Sequence, residues 1–198
     1  VPSCIKCSPL LPLEEVPKDW GVEVVSVYGE VRELILWSPF WGIHTKATLI
    51  PYGVSIEAPP IEWPNPVGIQ RFLYEPDLAI IRAGLVGNLC KLFYIAPAFR
   101  DIVYLSSNTY INTPLMKAYR VIEVLPSASI KKLRACLANL NPSNIIVKKR
   151  GFPLDPQSLL KKIHFKPCSS GRQLFVFFTR NENKHCVIIC EQVSDTNG

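Results

Sequence analysis

Histidine is scarce. His44, His164 and His185 are the three among 198 residues, and none stands in a local signature with serine or cysteine. A catalytic triad can also assemble from distant residues, so nucleophilic catalysis is unsupported without being excluded. Glycine-rich phosphate loops are missing too. Neither G-x-G-x-x-G nor G-x-x-x-x-G-K-[ST] occurs, and Gly84 and Gly87 lie close together inside a helical pattern. A nucleotide cofactor therefore has no argument from glycine placement. Long apolar runs are absent as well. Charge interrupts each one well before a membrane span is complete, and the longest, 174–178 and 186–190, have the length of strands. No apolar core follows a basic start, so no signal peptide is expected. The first residue is Val1 rather than Met, which fits a piece of a longer protein.

What is present describes a folding chain. Hydrophobic residues make up 48% and charged residues 19%, with a mean hydropathy of +0.16. That composition excludes a disordered chain, and the length allows a substantial core in one large domain or two small ones. Seven cysteines, an odd number at irregular spacings, read as free thiols of a reducing compartment, hence a cytoplasmic protein. Cys4 and Cys7 form one C-x-x-C, but no second pair completes a zinc site, so no metal is expected. Cys186 and Cys190, four apart on a strand, share one face.

The net charge of +6 is unevenly placed. Residues 1–120 hold 10 Lys/Arg against 11 Asp/Glu, whereas 121–198 hold 12 against 5. Such asymmetry points to an anionic partner, or to a solvated basic face that serves solubility.

Hydrophobic patterning orders the elements. Strands are expected over 22–28, 30–37 after a turn at Gly29, and 45–50. Five prolines between Pro51 and Pro66 mark an irregular connection and the best domain boundary. Pro76 suits a helix start with Asp77 in its first turn, and Leu78, Ile81, Leu85, Leu89 and Leu92 continue a helical spacing. Further on come a strand at 120–125, a helix capped by Ser127 or Ser129 through about Asn139, and a strand at 145–148. A helix from Asp155-Pro156 to about Phe165 follows, then strands at 174–178 and 187–189 joined by a polar turn around Asn181 to Lys184. The order β-α-β-α-β-β describes two helices over one face of a small sheet. The domains expected are 1–50, an α/β end; 51–118, the Pro-rich connection and a helical linker; and 119–198, an α+β unit.

The basic clusters are the strongest physical signal. Lys131, Lys132 and Arg134 share one helix; Lys148, Lys149 and Arg150 end a strand at Gly151; Lys161, Lys162 and Lys166 lie on or near the second helix. With both helices on one side of the sheet, a shared basic face is expected, contacting phosphates with salt-dependent, mainly sequence-independent affinity. Ordinary surface lysines are the alternative. Carboxylates are few here. Glu75 and Asp77, further upstream, read as capping and pairing groups for Arg71 or Arg82.

Several segments resemble one family. Phe72-Leu73-Tyr74-Glu75-Pro76-Asp77 with Ala79-Ile80-Ile81-Arg82-Ala83-Gly84-Leu85 is similar to the YLYEPD-x-A-x-I-R-A-G-L element of bacterial class I S-adenosylmethionine-dependent methyltransferases that end in a THUMP-like domain. Ile146 to Gly151 with Asp155-Pro156, Thr179-Arg180 and Lys6-Cys7-Ser8-Pro9 resemble further elements of that family, although Cys7 replaces the usual valine. The resemblance implies the last strands of a Rossmann-like sheet followed by a ferredoxin-like βαβαββ (THUMP-like) domain. It implies S-adenosylmethionine as the cofactor of the full-length family and an upstream catalytic domain as partner. The family's cofactor loop and catalytic element have no counterpart here, so no cofactor is expected on this chain alone and no catalytic residue carries over. Tyr74, Glu75, Asp77 and Arg82 belong to a motif without an assigned role. By analogy with true THUMP domains the resemblance implies RNA, tRNA or rRNA, as ligand; independently, the basic clusters offer Lys131, Lys132, Arg134, Lys148, Lys149, Arg150, Lys161 and Lys162 as its expected contacts. A protein-interaction scaffold and a methyltransferase acting on a non-RNA substrate are the alternatives. Whether this chain is itself an enzyme stays open at this point, as does its oligomeric state.

Overall fold

A computed structural model describes residues 1–127, 129–181 and 184–193. Among the described residues twelve strands form two mixed sheets. The first runs β1-β3-β2-β4-β5, with β1 Cys4–Cys7, β2 Gly21–Val27, β3 Glu30–Trp37, β4 Thr45–Ile50 and β5 Val54–Glu57. The second contains β6 Phe72–Pro76, β7 Ala96–Pro97, β8 Leu105–Ser107, β9 Met116–Leu125, β10 Asn144–Lys149, β11 Gln173–Asn181 and β12 Lys184–Gln192, in the order β10-β11-β12-β9-β6-β8-β7. The helices are α1 Leu78–Arg82, α2 Val86–Phe93, α3 Ile130–Leu140 and α4 Pro156–Ile163. The chain divides into two compact units: residues 1–65, 74–97 and 111–117, and residues 66–73, 98–110 and 118–198.

In the first unit, β2 and β3 form the expected hairpin. Tyr28 and Gly29 both take left-handed backbone, φ 52° and 85°, as a two-residue turn matched to strand twist requires. Val24, Leu34, Ala47 and Leu49 are fully buried on one face, and α1 packs against β2, β3 and β4. Three expectations change here. Pro76 ends β6 instead of opening a helix, and Asp77 is the N-cap of α1, accepting from Ala79 N at 2.8 Å. The helical spacing from Leu78 to Leu92 spans two helices, because Gly84 at φ 72° ends the first. The Pro-rich connection is not wholly irregular: Val54–Glu57 pairs with β4. Beyond it, Asn88 holds the backbone at Pro59 and Ile61, and a Cβ at Gly87 would stand 2.2 Å from Ile61 O.

In the second unit, β9-α3-β10-α4-β11-β12 follows the expected order. β10 and β11 are parallel through the α4 crossover, while β11–β12 and β12–β9 are antiparallel. Ser129 caps α3 by accepting from Lys132 N, and Asp155 caps α4 by accepting from Ser158 N. Of the expected polar turn, residues 182–183 lie outside the described residues. Both faces of this sheet are covered. Leu174, Val176, Phe178, Val187 and Ile189 meet Leu133, Leu137, Leu159 and Ile163 of the helices. Phe175, Phe177, Cys186, Ile188 and Cys190 meet Phe99, Ile102, Tyr104 and Tyr119 on the other side. Burial on both faces is why β11 reads as a continuous apolar run rather than an alternating one. Each such side chain contributes about 1.5–3 kcal/mol relative to exposure.

Candidate nucleic-acid interface

The two helices turn their apolar faces to the sheet and their lysines outward. Leu133 and Leu137 of α3 are buried while Lys131, Lys132 and Arg134 are exposed; in α4, Leu159 and Ile163 are buried while Lys161 and Lys162 are exposed. Neither helix carries a carboxylate after its cap. From Ser129 to Lys166 there are nine Lys/Arg against the single carboxylate of Asp155, which is engaged in capping. Lys149 and Lys166 are exposed as well. Among the described residues, Lys131, Lys132, Lys149, Lys161, Lys162 and Lys166 have no ion-pair partner. Glu191, the next carboxylate on β12, is held by Arg120 and Arg172.

Arg134 behaves differently from its neighbours. Its Nε donates to Lys162 O at 3.2 Å and Ile163 O at 3.1 Å, and its Nη2 donates to Lys162 O. A guanidinium on α3 thus satisfies carbonyls at the C-terminus of α4, where a cation also meets the negative end of the helix dipole. It ties the two helices together.

The expectation of one shared basic face is corrected by strand periodicity. Successive side chains on a strand point to opposite faces. Ile145 and Val147 of β10 join the helix-side core, and Lys149 continues that row opposite Phe178. Ile146, Lys148 and Arg150 fall on the other side. There Lys148 Nζ donates to Tyr119 Oη at 2.9 Å and lies 5.1 Å from the Tyr119 ring, with the Phe177 and Phe175 rings at 5.8 and 5.9 Å. Arg150 donates to Val103 O at 2.7 Å and its guanidinium carbon sits 5.0 Å from the Tyr104 ring centre. Both cations are half-buried and hold their own domain together. Gly151 closes this corner at φ 68°, where a Cβ would meet Ile102 Cδ1 at 2.4 Å and Arg180 Nε at 3.2 Å. Thr179 is fully buried, and its hydroxyl and Arg180 Nε have no hydrogen-bond partner among the described residues.

Sequence reasoning missed the rings under Lys148 and Arg150. The alternation of Phe175 and Phe177 was a signal for part of them; Tyr104 and Tyr119 come from distant segments. It also missed a cleft of about 350 Å³ on that same side, lined in part by Ile69, Phe99, Val124, Asn181, Lys184 and Cys186. The motif residues of the first unit act within the fold. Tyr74 is fully buried and its hydroxyl accepts from Ile111 N at 3.0 Å; Glu75 is half-buried on β6; Asp77 caps α1; Arg82 donates to Leu11 O.

The thiols divide by environment. Burial pushes the Cys90 and Cys186 thiols up to about 11 and raises that of Cys190 further, whereas the Ser170 hydroxyl beside Cys168 lowers its thiol from the ordinary value. Cys4 and Cys7 stand three apart on β1, so their side chains point to opposite faces and cannot chelate together. Among the described residues no group of three or more His, Cys, Asp or Glu could hold a metal ion. His164 takes left-handed backbone, φ 48°, at the exposed end of α4. No helix among the described residues is long and apolar enough to cross a membrane.

Residues 116–192 match the family model described as THUMP domain-like. That segment, from β9 to β12, is similar to THUMP-like domains. Over 185 residues, 89% of its length, the chain is 30% identical to uncharacterized S-adenosylmethionine-dependent methyltransferases from two strains of Mycobacterium tuberculosis, CDC 1551 / Oshkosh and H37Rv. The chain spans about half, 49%, of the length of these relatives. In structure it is similar to the crystal structure of a proposed methyltransferase from Porphyromonas gingivalis W83. The TM-score is 0.76 at 18% identity, over 96% of this chain and 51% of that one, a likeness of fold. These findings agree with the methyltransferase family read from the motifs. Among the described residues the glycines with positive φ, at 29, 42, 53, 68, 84 and 151, are well separated along the chain, and no G-x-G-x-x-G loop joins a strand to a helix.

Proposed function

We propose that this chain is the C-terminal portion of an S-adenosylmethionine-dependent methyltransferase-like protein. In this reading its THUMP-like domain presents RNA, tRNA or rRNA, to a catalytic domain outside the chain. The observation that carries the reading is the helix face of Lys131, Lys132, Lys161 and Lys162, exposed, without ion-pair partners among the described residues and without a carboxylate on either helix. Such a face supplies sequence-independent affinity for phosphates. Residues 1–50 are read as the last strands of a Rossmann-like sheet, and 119–198 as the RNA-holding unit, joined by 51–118. The position of β1 supports the first part: it is an edge strand, with Cys4, Ile5 and Lys6 exposed, and it bears the K-C-S-P element. The free thiols suit the cytoplasm.

A second reading has one observation in its favour. Phe40, Trp41 and Ile43 of the β3–β4 connection are 67, 53 and 72% exposed, which favours a protein partner on the first unit. The experiment is binding of labelled tRNA across a salt series, beside a variant with Lys131, Lys132, Lys161 and Lys162 all changed to alanine. The RNA reading expects a steep salt slope that flattens by about 0.9 for each phosphate contact removed. No binding at low salt would leave the lysines as a solvated face and favour the protein-partner reading.

A further inference from the structure

We infer that the helix face is built for the phosphate backbone of double-helical RNA, in preference to single strands. This inference rests on the RNA reading above and specifies its ligand.

Three features of the face carry it. First, its available cations are lysines. Arg134, the one arginine on α3 and α4, is engaged with the carbonyls of Lys162 and Ile163, so it offers no planar fork to a base edge. Lysine is a point charge that meets a phosphate without reading sequence. Second, the aromatic side chains on this side of the sheet are occupied in packing. Phe178 is fully buried; Phe152 lies between the Phe178 ring at 5.2 Å and the His185 ring at 4.7 Å; Phe165 packs on the core. Recognition of single strands uses aromatic faces on which splayed bases stack, and no exposed phenylalanine or tyrosine stands among the described residues of α3, α4 or the β10 end. Third, the lysines sit on rigid elements. Two capped helices, tied to each other by Arg134 and seated on a common core, hold their cations in a fixed array. A fixed array suits the regular phosphates of a duplex, whereas a flexible strand would lose conformational freedom to match it. Double-stranded RNA is known chiefly by its shape and its phosphate and 2′-hydroxyl contacts, and that chemistry is available to this face.

The test uses the whole 198-residue chain and three RNA probes of equal length: a mixed-sequence 20-base-pair duplex, a second duplex of different sequence, and one isolated strand without self-pairing. The expected result is that both duplexes bind with equal affinity, at least tenfold tighter than the strand. Lys131→Gln, Lys132→Gln, Lys161→Gln and Lys162→Gln together should remove that preference while the circular dichroism and melting profile stay unchanged. A strand that binds as tightly as the duplexes, or a marked preference between the two duplexes, overturns this inference and leaves the RNA reading standing. Failure of all three probes to bind at low salt overturns both.

Discussion

On the helix side of the β10–β11–β12 sheet the cations project into solvent; on the opposite side they lie against aromatic rings. Lys149 is exposed, and its chain neighbours Lys148 and Arg150 donate to Tyr119 Oη and Val103 O over tyrosine rings. The sequence writes all three as one basic cluster. The fold divides them by strand alternation, and the two sets then have different tasks. Lysines with water on every side retain their charge for an external partner at little cost to stability. The half-buried pair has already used its donors inside the domain. A run of basic residues is therefore evidence for a ligand only after its members have been assigned to faces.

The largest effects should come from breaking the aromatic side. Phe177→Ala removes a fully buried ring that packs edge-on to Tyr104 and Tyr119 beneath Lys148. It should cost about 3–5 kcal/mol in urea unfolding. A loss under about 1 kcal/mol would mean that this face is not the core it is described to be. Gly151→Ala should cost about 1–3 kcal/mol, because alanine is strained at φ 68° and its methyl would meet Ile102. Lys148→Ala comes next, at about 1–2 kcal/mol, from one hydrogen bond and the ring contacts. By contrast, Lys131→Ala and Lys132→Ala should each stay within about 0.5 kcal/mol of the parent. Arg134→Ala should resemble Lys148→Ala in stability, losing about 1 kcal/mol through the uncapped α4 carbonyls.

The smallest contrast is in the thiols. An unfolded cysteine ionises near its ordinary value of 9.0, while folded Cys90 and Cys186 keep their protons to about 11. The unfolded chain thus releases protons first. The stability these two contribute is complete below pH 9 and falls as pH rises from 9 toward 11. Iodoacetamide at neutral pH should label Cys168 well before Cys90, Cys186 or Cys190, and equal labelling of all four in the folded chain would contradict the burial assigned to them.

How much of this was legible from residues alone follows the range of the interaction. Asp155 was readable as a cap, and Ser129 as one of two candidates with Ser127, because a cap is a local contact between a side chain and backbone two or three residues on. The order β-α-β-α-β-β was readable because each element carries its own period. The alternation of Lys148 and Lys149 was also in the sequence, one residue apart on a strand. Which face would be closed was not, because Val103, Tyr104 and Tyr119 reach Lys148 and Arg150 from segments 29 to 47 positions away. β5 has no signal of its own for the same reason: a four-residue strand is defined by its partner, here β4. Gly84 was visible, yet its effect was misjudged, since the apolar spacing on either side of it continued across the break.

The most direct measurement is a paired titration of labelled tRNA at low salt against the parent chain, the Lys131→Ala, Lys132→Ala, Lys161→Ala, Lys162→Ala variant and Lys148→Ala. The account predicts at least a tenfold loss of affinity with a flatter salt slope for the helix variant, and parental affinity for Lys148→Ala despite its lower stability. Affinity lost with Lys148 and retained without the four helix lysines would contradict it.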